Sequence, residues 1–318
     1  MAAPAPVCCR AHVRDPTHIA APSPTAAKTR AALVPLLIAM LCLVWGSTWW
    51  AIRVCLADQP PLSSAAVRFL IAGAVMTLVA PFLRRREQGP PPSAWLWITG
   101  GATNFAGSYG VLYVAETVVP SGIAAVLWGI FPLLMAGSAV LFLGERLRRA
   151  QVLGFAIAFG GIVTVFSGGL GGASEHMGMA ALLLLSPVVS AVGTTLIKKY
   201  GSGTSSVLLN RNGMLLGALM LCVAAFVRED PLGMPWTPSV VAATLYLALF
   251  GTALTFGVYF WLLRTAPASM LSLITYVTPV LAMLLAALVG DGEIDGFAWL
   301  GTGLVVTGIV LVVRRPRT

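Results

Sequence analysis

Two arginines stand where arginine is rarely found. Arg68 and Arg211 each lie about six residues inside a long apolar stretch, on opposite sides of the bilayer when the chain is threaded through it. A guanidinium in hydrocarbon is costly. It either lines a polar path or snorkels along its own stem to the interface, and both readings fit these positions. On the first, the chemistry is recognition of an anionic or zwitterionic solute. Glu116 ends another apolar stretch; it is a candidate partner for Arg68 and a candidate coupling or gate group. Arg211 has no evident mate.

Aromatic and hydroxyl residues recur at helical spacing. Trp45, Thr48 and Trp49 share one face, Tyr109, Tyr113 and Glu116 a second, and Thr252, Thr255 and Tyr259 a third. With Trp128 and Tyr276, these rings and the two arginines are the candidate substrate-binding lining of a mostly apolar cavity. The competing reading is helix packing and the aromatic belt at the interface. Pro132 and Pro279 fall near the middle of their stretches and deprive the Trp128 and Thr275 carbonyls of a partner. Such a kink suits a hinge or simple packing against a neighbour.

The missing chemistry narrows the function. His12, His18 and His176 lie outside the apolar stretches, and no acid sits at the centre of one. The five cysteines lack metal spacing, and no phosphate-cradling Gly-x-x-x-x-Gly-Lys loop occurs. No catalytic group, cofactor or metal is expected, and the chain reads as a non-enzyme. Proton coupling would fall to border acids such as Glu116, Glu145 or Glu293.

These residues must be positioned by membrane helices. The chain has 318 residues, 58% hydrophobic and 10% charged. Ten apolar stretches of about 20 residues can each cross a bilayer: roughly 33–52, 62–82, 95–115, 121–143, 151–168, 178–197, 205–227, 240–262, 268–289 and 297–313. The net charge of +9 would suit nucleic acid, but its placement points elsewhere. With the N-terminus inside, 16 of the 20 Lys and Arg fall in inner segments, 2 outside and 2 within spans. That bias puts both termini in the cytoplasm and makes the bilayer, not nucleic acid, the partner.

The chain also repeats itself at an offset of 147. Pro120, Pro132 and Gly154 recur as Pro267, Pro279 and Gly301, and Gly161-Ile162-Val163 recurs as Gly308-Ile309-Val310. Each copy holds five spans, so the second enters the bilayer inverted. The expected fold is an all-α integral membrane protein of ten transmembrane helices in two inverted-topology five-helix repeats. Residues 1–31 are expected to be a disordered cytoplasmic tail, 32–169 the first repeat, 174–314 the second and 315–318 a short cytoplasmic end.

Trp45-Gly46-Ser47-Thr48-Trp49, Arg68-Phe69, Pro120-Ser121-Gly122, Pro132, Gly144-Glu145-Arg146, Gly154 and Gly160-Gly161 resemble the EamA family of the drug/metabolite transporter superfamily. The resemblance spans about 33–314 and is clearer in the first copy. It implies two inverted bundles about a central cavity and a permease in the cell (inner or plasma) membrane. Its cargo would be a small-molecule solute such as a metabolite, an amino acid or a drug, commonly exported. Alternating access about Pro132 and Pro279 is the expected mechanism. A passive channel is the alternative, with a membrane-embedded enzyme or receptor behind it. Substrate, coupling ion and oligomeric state are not legible.

Overall fold

The computed structural model describes residues 24–85, 87, 89–144, 148–167, 174–265, 268–292 and 294–313, and helix is the only regular structure among them. Pro267, Glu145, Arg146 and Glu293 lie outside the described residues, as do the Gly-rich link at 168–172 and both chain ends.

α1 (Pro24–Leu56) and α2 (Pro61–Arg84) come first. The third rod is continuous: α3 (Ala94–Gly100), a π-helical stretch Gly101–Gly107 and α4 (Ser108–Glu116). α5 (Ser121–Trp128) and α6 (Phe131–Leu143) make a broken fourth rod, and α7 (Arg149–Ser167) follows. The second copy runs α8 (Ser174–Leu183) and α9 (Leu185–Tyr200), α10 (Ser206–Arg228), then α11 (Pro238–Leu245), a second π-helical stretch Tyr246–Leu254 and α12 (Thr255–Thr265). α13 (Ala268–Val289) and α14 (Gly296–Val313) complete it.

Among the described residues seven helices could cross a membrane by length and composition, and the stretches Val277–Val289 of α13 and Gly296–Val312 of α14 are shorter and apolar. The rod 94–116 is not in that set; it carries Thr99, Thr103, Asn104 and Ser108 among its apolar residues. Two boundaries differ from expectation. α1 already starts at Pro24, within the segment expected to be a disordered tail. Proline suits a first helical turn, and the Ala-rich run after it has high helix propensity. Pro132 does not kink a continuous helix: the rod breaks at Gly129–Ile130, and Pro132 sits in the first turn of α6, where its missing N–H is harmless. Pro279, by contrast, lies inside unbroken α13, and a methyl on Gly129 would come 3.1 Å from its ring.

The packing maps onto itself under the offset of 147. α7 lies along α14, its own counterpart, and α2 along α10, its own counterpart. α1 packs on α13 just as α9 packs on α6. Glycines set the tightest crossing. Methyl groups on Gly154 and Gly161 would come 2.7 Å from the Gly308 and Gly301 carbonyl oxygens, so α7 and α14 run antiparallel at backbone contact.

α2 and α10 also run antiparallel, and a carboxylate clamps each end. Glu229 accepts the backbone N–H groups of Leu62 and Ser63, both at 2.8 Å, at the start of α2. Glu87 accepts from the Ser205 and Ser206 hydroxyls and from the Ser206 and Val207 N–H groups at the start of α10. Helix starts favour anions, because their first N–H groups have no partner within the helix. Burial pushes the Glu87 carboxyl upward, but the bonds from Ser205, Ser206 and Val207 outweigh it and hold the group below the usual carboxylate range.

Candidate functional site

Arg68 is the centre of the polar interior. α2 holds it 2% exposed, so its side chain does not reach an interface. Nε donates to Thr252 Oγ1 at 3.1 Å and Nη1 to the Tyr113 hydroxyl at 3.2 Å. The guanidinium also stands 5.1 Å from the centre of the Tyr109 ring and 5.5 Å from that of Phe69. Thr252 can accept because it donates its own proton to the Leu247 carbonyl five residues back, at 2.8 Å. That spacing belongs to the π-helical stretch, so the irregular backbone is what presents the hydroxyl to the arginine. Gly251 beside it lets α1 approach, since a methyl there would come 2.8 Å from Thr48 Cγ2. Among the described residues every hydrogen-bond partner of the guanidinium is neutral. The charge is solvated by hydroxyls and ring faces, which stabilise a cation without neutralising it.

Of the sequence-predicted rings Tyr109 and Tyr113 touch the guanidinium, and Tyr259 and Trp45 connect to it through a relay of ring contacts. Tyr259 meets Trp45 at 5.6 Å between centroids, Trp45 meets Phe256 at 6.4 Å, and Phe256 meets Phe105 at 6.3 Å. Phe105 then contacts Phe69 at 5.4 Å, and Phe69 contacts Tyr109 at 4.8 Å. A second group joins Trp49 to Trp128 at 6.3 Å and Trp128 to Phe131 at 5.0 Å. The indole N–H of Trp128 donates to Ser186 Oγ at 3.1 Å. Tyr276 belongs to α13; its side chain is outside the described residues.

Arg211 is not brought to this site. Both of its bonded nitrogens reach the neighbouring Asn212 side chain, at 3.0 and 2.8 Å. Gly73 on α2 faces Leu215 on α10, which sets the antiparallel register. Arg68 and Arg211 therefore lie on opposite sides of that contact, about 13 Å apart along the helix axes at 1.5 Å per residue.

Glu116 lies between the arginine and the outer end. Its carboxyl is wholly buried and has no hydrogen-bond partner among the described residues. Its backbone carbonyl accepts from Arg53 Nη1 at 2.7 Å, and the Thr117 carbonyl from the same nitrogen at 2.6 Å. Arg53 Nε pairs with Asp291 at 3.2 Å, and the other Asp291 oxygen accepts the Ser121 N–H at 2.9 Å. The loop carrying Asp291 seats itself through Gly292, whose φ of 82° and close approach to the Pro120 ring both require glycine.

Two apolar grooves lie elsewhere. One of about 460 Å³ is bounded by Leu37, Val75, Val79 and Leu249, and one of about 420 Å³ by Pro35, Ile38, Val277 and Leu281. Their linings suit hydrocarbon, and Arg68 lines neither. The aromatic residues touch ring to ring rather than enclosing either space. Sequence reasoning passed over Asp291, Ser186 and Asn104; for the last two the signal was a hydroxyl or amide residue in an otherwise apolar stretch. Among the described residues no group of three His, Cys, Asp or Glu could hold a metal ion.

Comparison with known proteins agrees with this architecture. The model of the EamA-like transporter family matches residues 32–167 and again 177–314. The Escherichia coli (strain K12) protein named uncharacterized inner membrane transporter YedA is 33% identical over 288 residues, 88% of this chain and 91% of that protein. The Bacillus subtilis (strain 168) protein named uncharacterized transporter YvbV is 29% identical over 295 residues, 91% and 93% of the two chains. A solved crystal structure superposes with a TM-score of 0.63 at 21% identity, over 88% of this chain and 96% of the other, and speaks for the fold alone. Two matched halves and full-length transporter relatives lead to one conclusion: this chain belongs to the EamA-like transporter family.

Proposed function

We propose that this multi-pass membrane transporter is a permease of ten spans in two inverted repeats, moving a small amphipathic metabolite, amino acid or drug-like solute out across the cytoplasmic membrane by alternating access. The antiparallel crossings of counterpart helices, α7 with α14 and α2 with α10, support the inverted arrangement. The positive-inside distribution supports cytoplasmic termini.

One observation carries the site: a fully buried guanidinium whose hydrogen-bond partners are all neutral. A buried charge with no directly bonded counter-charge is costly, and it is well matched to a solute that brings an anionic group. Arg68 anchors that group. Tyr109, Tyr113, Trp45 and Tyr259 shape the apolar remainder, and Trp49 with Trp128 borders it. Glu116 acts as the gate carboxyl behind the Arg53–Asp291 contact, and the broken fourth rod packed on Pro279 supplies the hinge.

Proteoliposomes loaded with a pooled metabolite mixture test this reading. Efflux of at least one solute should saturate with concentration, and Arg68→Ala should abolish it. No protein-dependent efflux of any solute, or kinetics unchanged in Arg68→Ala, would overturn it. Flux that never saturates would make the protein a channel.

A further inference from the structure

Asn104 lies in the π-helical stretch Gly101–Gly107, and its side-chain partners outside that stretch are on α9, whereas Tyr109 and Tyr113 meet α2 residues. Three hydroxyl oxygens surround Asn104 Oδ1: Ser190 Oγ at 3.3 Å, Thr194 Oγ1 at 3.4 Å and Thr103 Oγ1 at 3.4 Å. Hydroxyl hydrogen bonds usually span about 2.7–2.8 Å, so these are loose as hydrogen bonds. Each is spaced from Oδ1 as one ligand of a cation is from its neighbour. A cation held at calcium-like distances of about 2.3–2.6 Å sets neighbouring octahedral oxygens about 3.3–3.7 Å apart. Thr103 gives its proton to the Thr99 carbonyl at 2.7 Å, which leaves its lone pairs for a cation.

The surroundings are built to hold these oxygens together. A methyl on Gly193 would overlap the Thr103 hydroxyl and come 3.1 Å from Asn104 Oδ1, so this glycine is what lets α9 close on the cluster. Ser190 is buried and the other three are half-buried. The four oxygens are hard and uncharged, with no carboxylate, thiolate or imidazole among them. Calcium and magnesium sites draw on carboxylates, so this donor set fits a monovalent ion. Potassium is larger and would spread the oxygens further apart. Sodium has calcium's radius and half its charge.

We propose that Thr103, Asn104, Ser190 and Thr194 form a sodium site between the third rod and α9. The cluster joins residues of the two repeats, so occupation by sodium draws the third rod and α9 together. This deepens the permease reading by naming the coupling ion, and it rests on that reading only for its role in transport.

The test needs no solute. Purified full-length protein is melted in NaCl, KCl and choline chloride at equal ionic strength. Sodium should raise the melting temperature by about 2–4 °C over the other two, saturating in the millimolar range. Asn104→Leu and the isosteric Thr194→Val should each remove the sodium-specific rise, while Thr307→Val on α14 should keep it. Equal melting in sodium and potassium for the wild type would overturn the proposal, as would a sodium response retained in both Asn104→Leu and Thr194→Val. A sodium response without any solute efflux would leave this site standing and remove the permease reading alone.

Discussion

Arg53 and Asp291 face each other at 3.2 Å across the seam between the two repeats. Each also holds a helix end of the first repeat: Arg53 caps the carbonyls that finish α4, and Asp291 caps the N–H that starts α5. A single contact thus ties α1, the α4–α5 turn and the α13–α14 loop together at one end of the molecule. If that end must open for solute to pass, locking it should stop transport. We expect Arg53→Cys with Asp291→Cys, in a background without native cysteines, to lose at least tenfold in efflux when bridged by a short bis-methanethiosulfonate crosslinker and to recover on reduction. Full efflux from the crosslinked protein would show that this seam does not open.

The partners of Arg68 should matter through its position. Tyr113→Phe and Thr252→Val each delete one bond to a buried charge, about 1.5–3 kcal/mol. Once a solute is identified, each substitution should raise the half-saturating concentration about tenfold. The double variant should lose less than the product of the two, because both act on one guanidinium. Arg211→Ala should change that concentration less than twofold, since its bonds stay within its own turn of α10.

Glycine positions separate packing from mere composition. A methyl on Gly308 would crowd the Ala158 Cβ at 2.6 Å and the Ala158 nitrogen at 2.8 Å, whereas nothing lies within 4 Å of one on Gly160 or Gly303. Gly308→Ala should therefore destabilise by about 1–3 kcal/mol, read as a lower melting temperature in detergent. Gly160→Ala and Gly303→Ala should be neutral or slightly stabilising, because alanine favours helix.

The Glu87 clamp predicts a pH signature. Its carboxyl titrates lower folded than unfolded, so its contribution is present above the ordinary value of 4.5 and is lost as pH falls through the lowered folded value. Glu87→Ala should cost about 0.5–2 kcal/mol at neutral pH, as lost helix caps do. The melting-temperature gap between variant and wild type should shrink as pH drops below the ordinary carboxylate range. A gap that is constant with pH would mean that the clamp does not depend on the charge.

That the chain is helical, apolar over several span-length stretches and built of two repeats was legible because these are one-dimensional signals. Hydropathy over about 20 residues marks a helix that hydrocarbon would accept, and an offset of 147 survives in prolines and glycines whose backbone roles are local. Arg68 stood out for the same reason, as a charge inside an apolar run. The break at Gly129–Ile130 was less legible, because Pro132 is compatible with a kink or with a new helix start, and packing against Pro279 favours the break.

Pairings between distant residues could not be read this way. The sequence does not say that Thr252 rather than Glu116 bonds Arg68, or that Arg53 reaches Asp291 across 238 positions. Those contacts depend on the angular register of helices against one another. Two π-helical stretches shift that register at the points where Asn104 and Thr252 turn inward. By itself the sequence determined that this chain crosses a membrane repeatedly in two related halves, since transfer into lipid depends on composition along the chain. Only the tertiary structure decided which polar groups meet inside, since hydrogen bonds and helix contacts depend on positions in space.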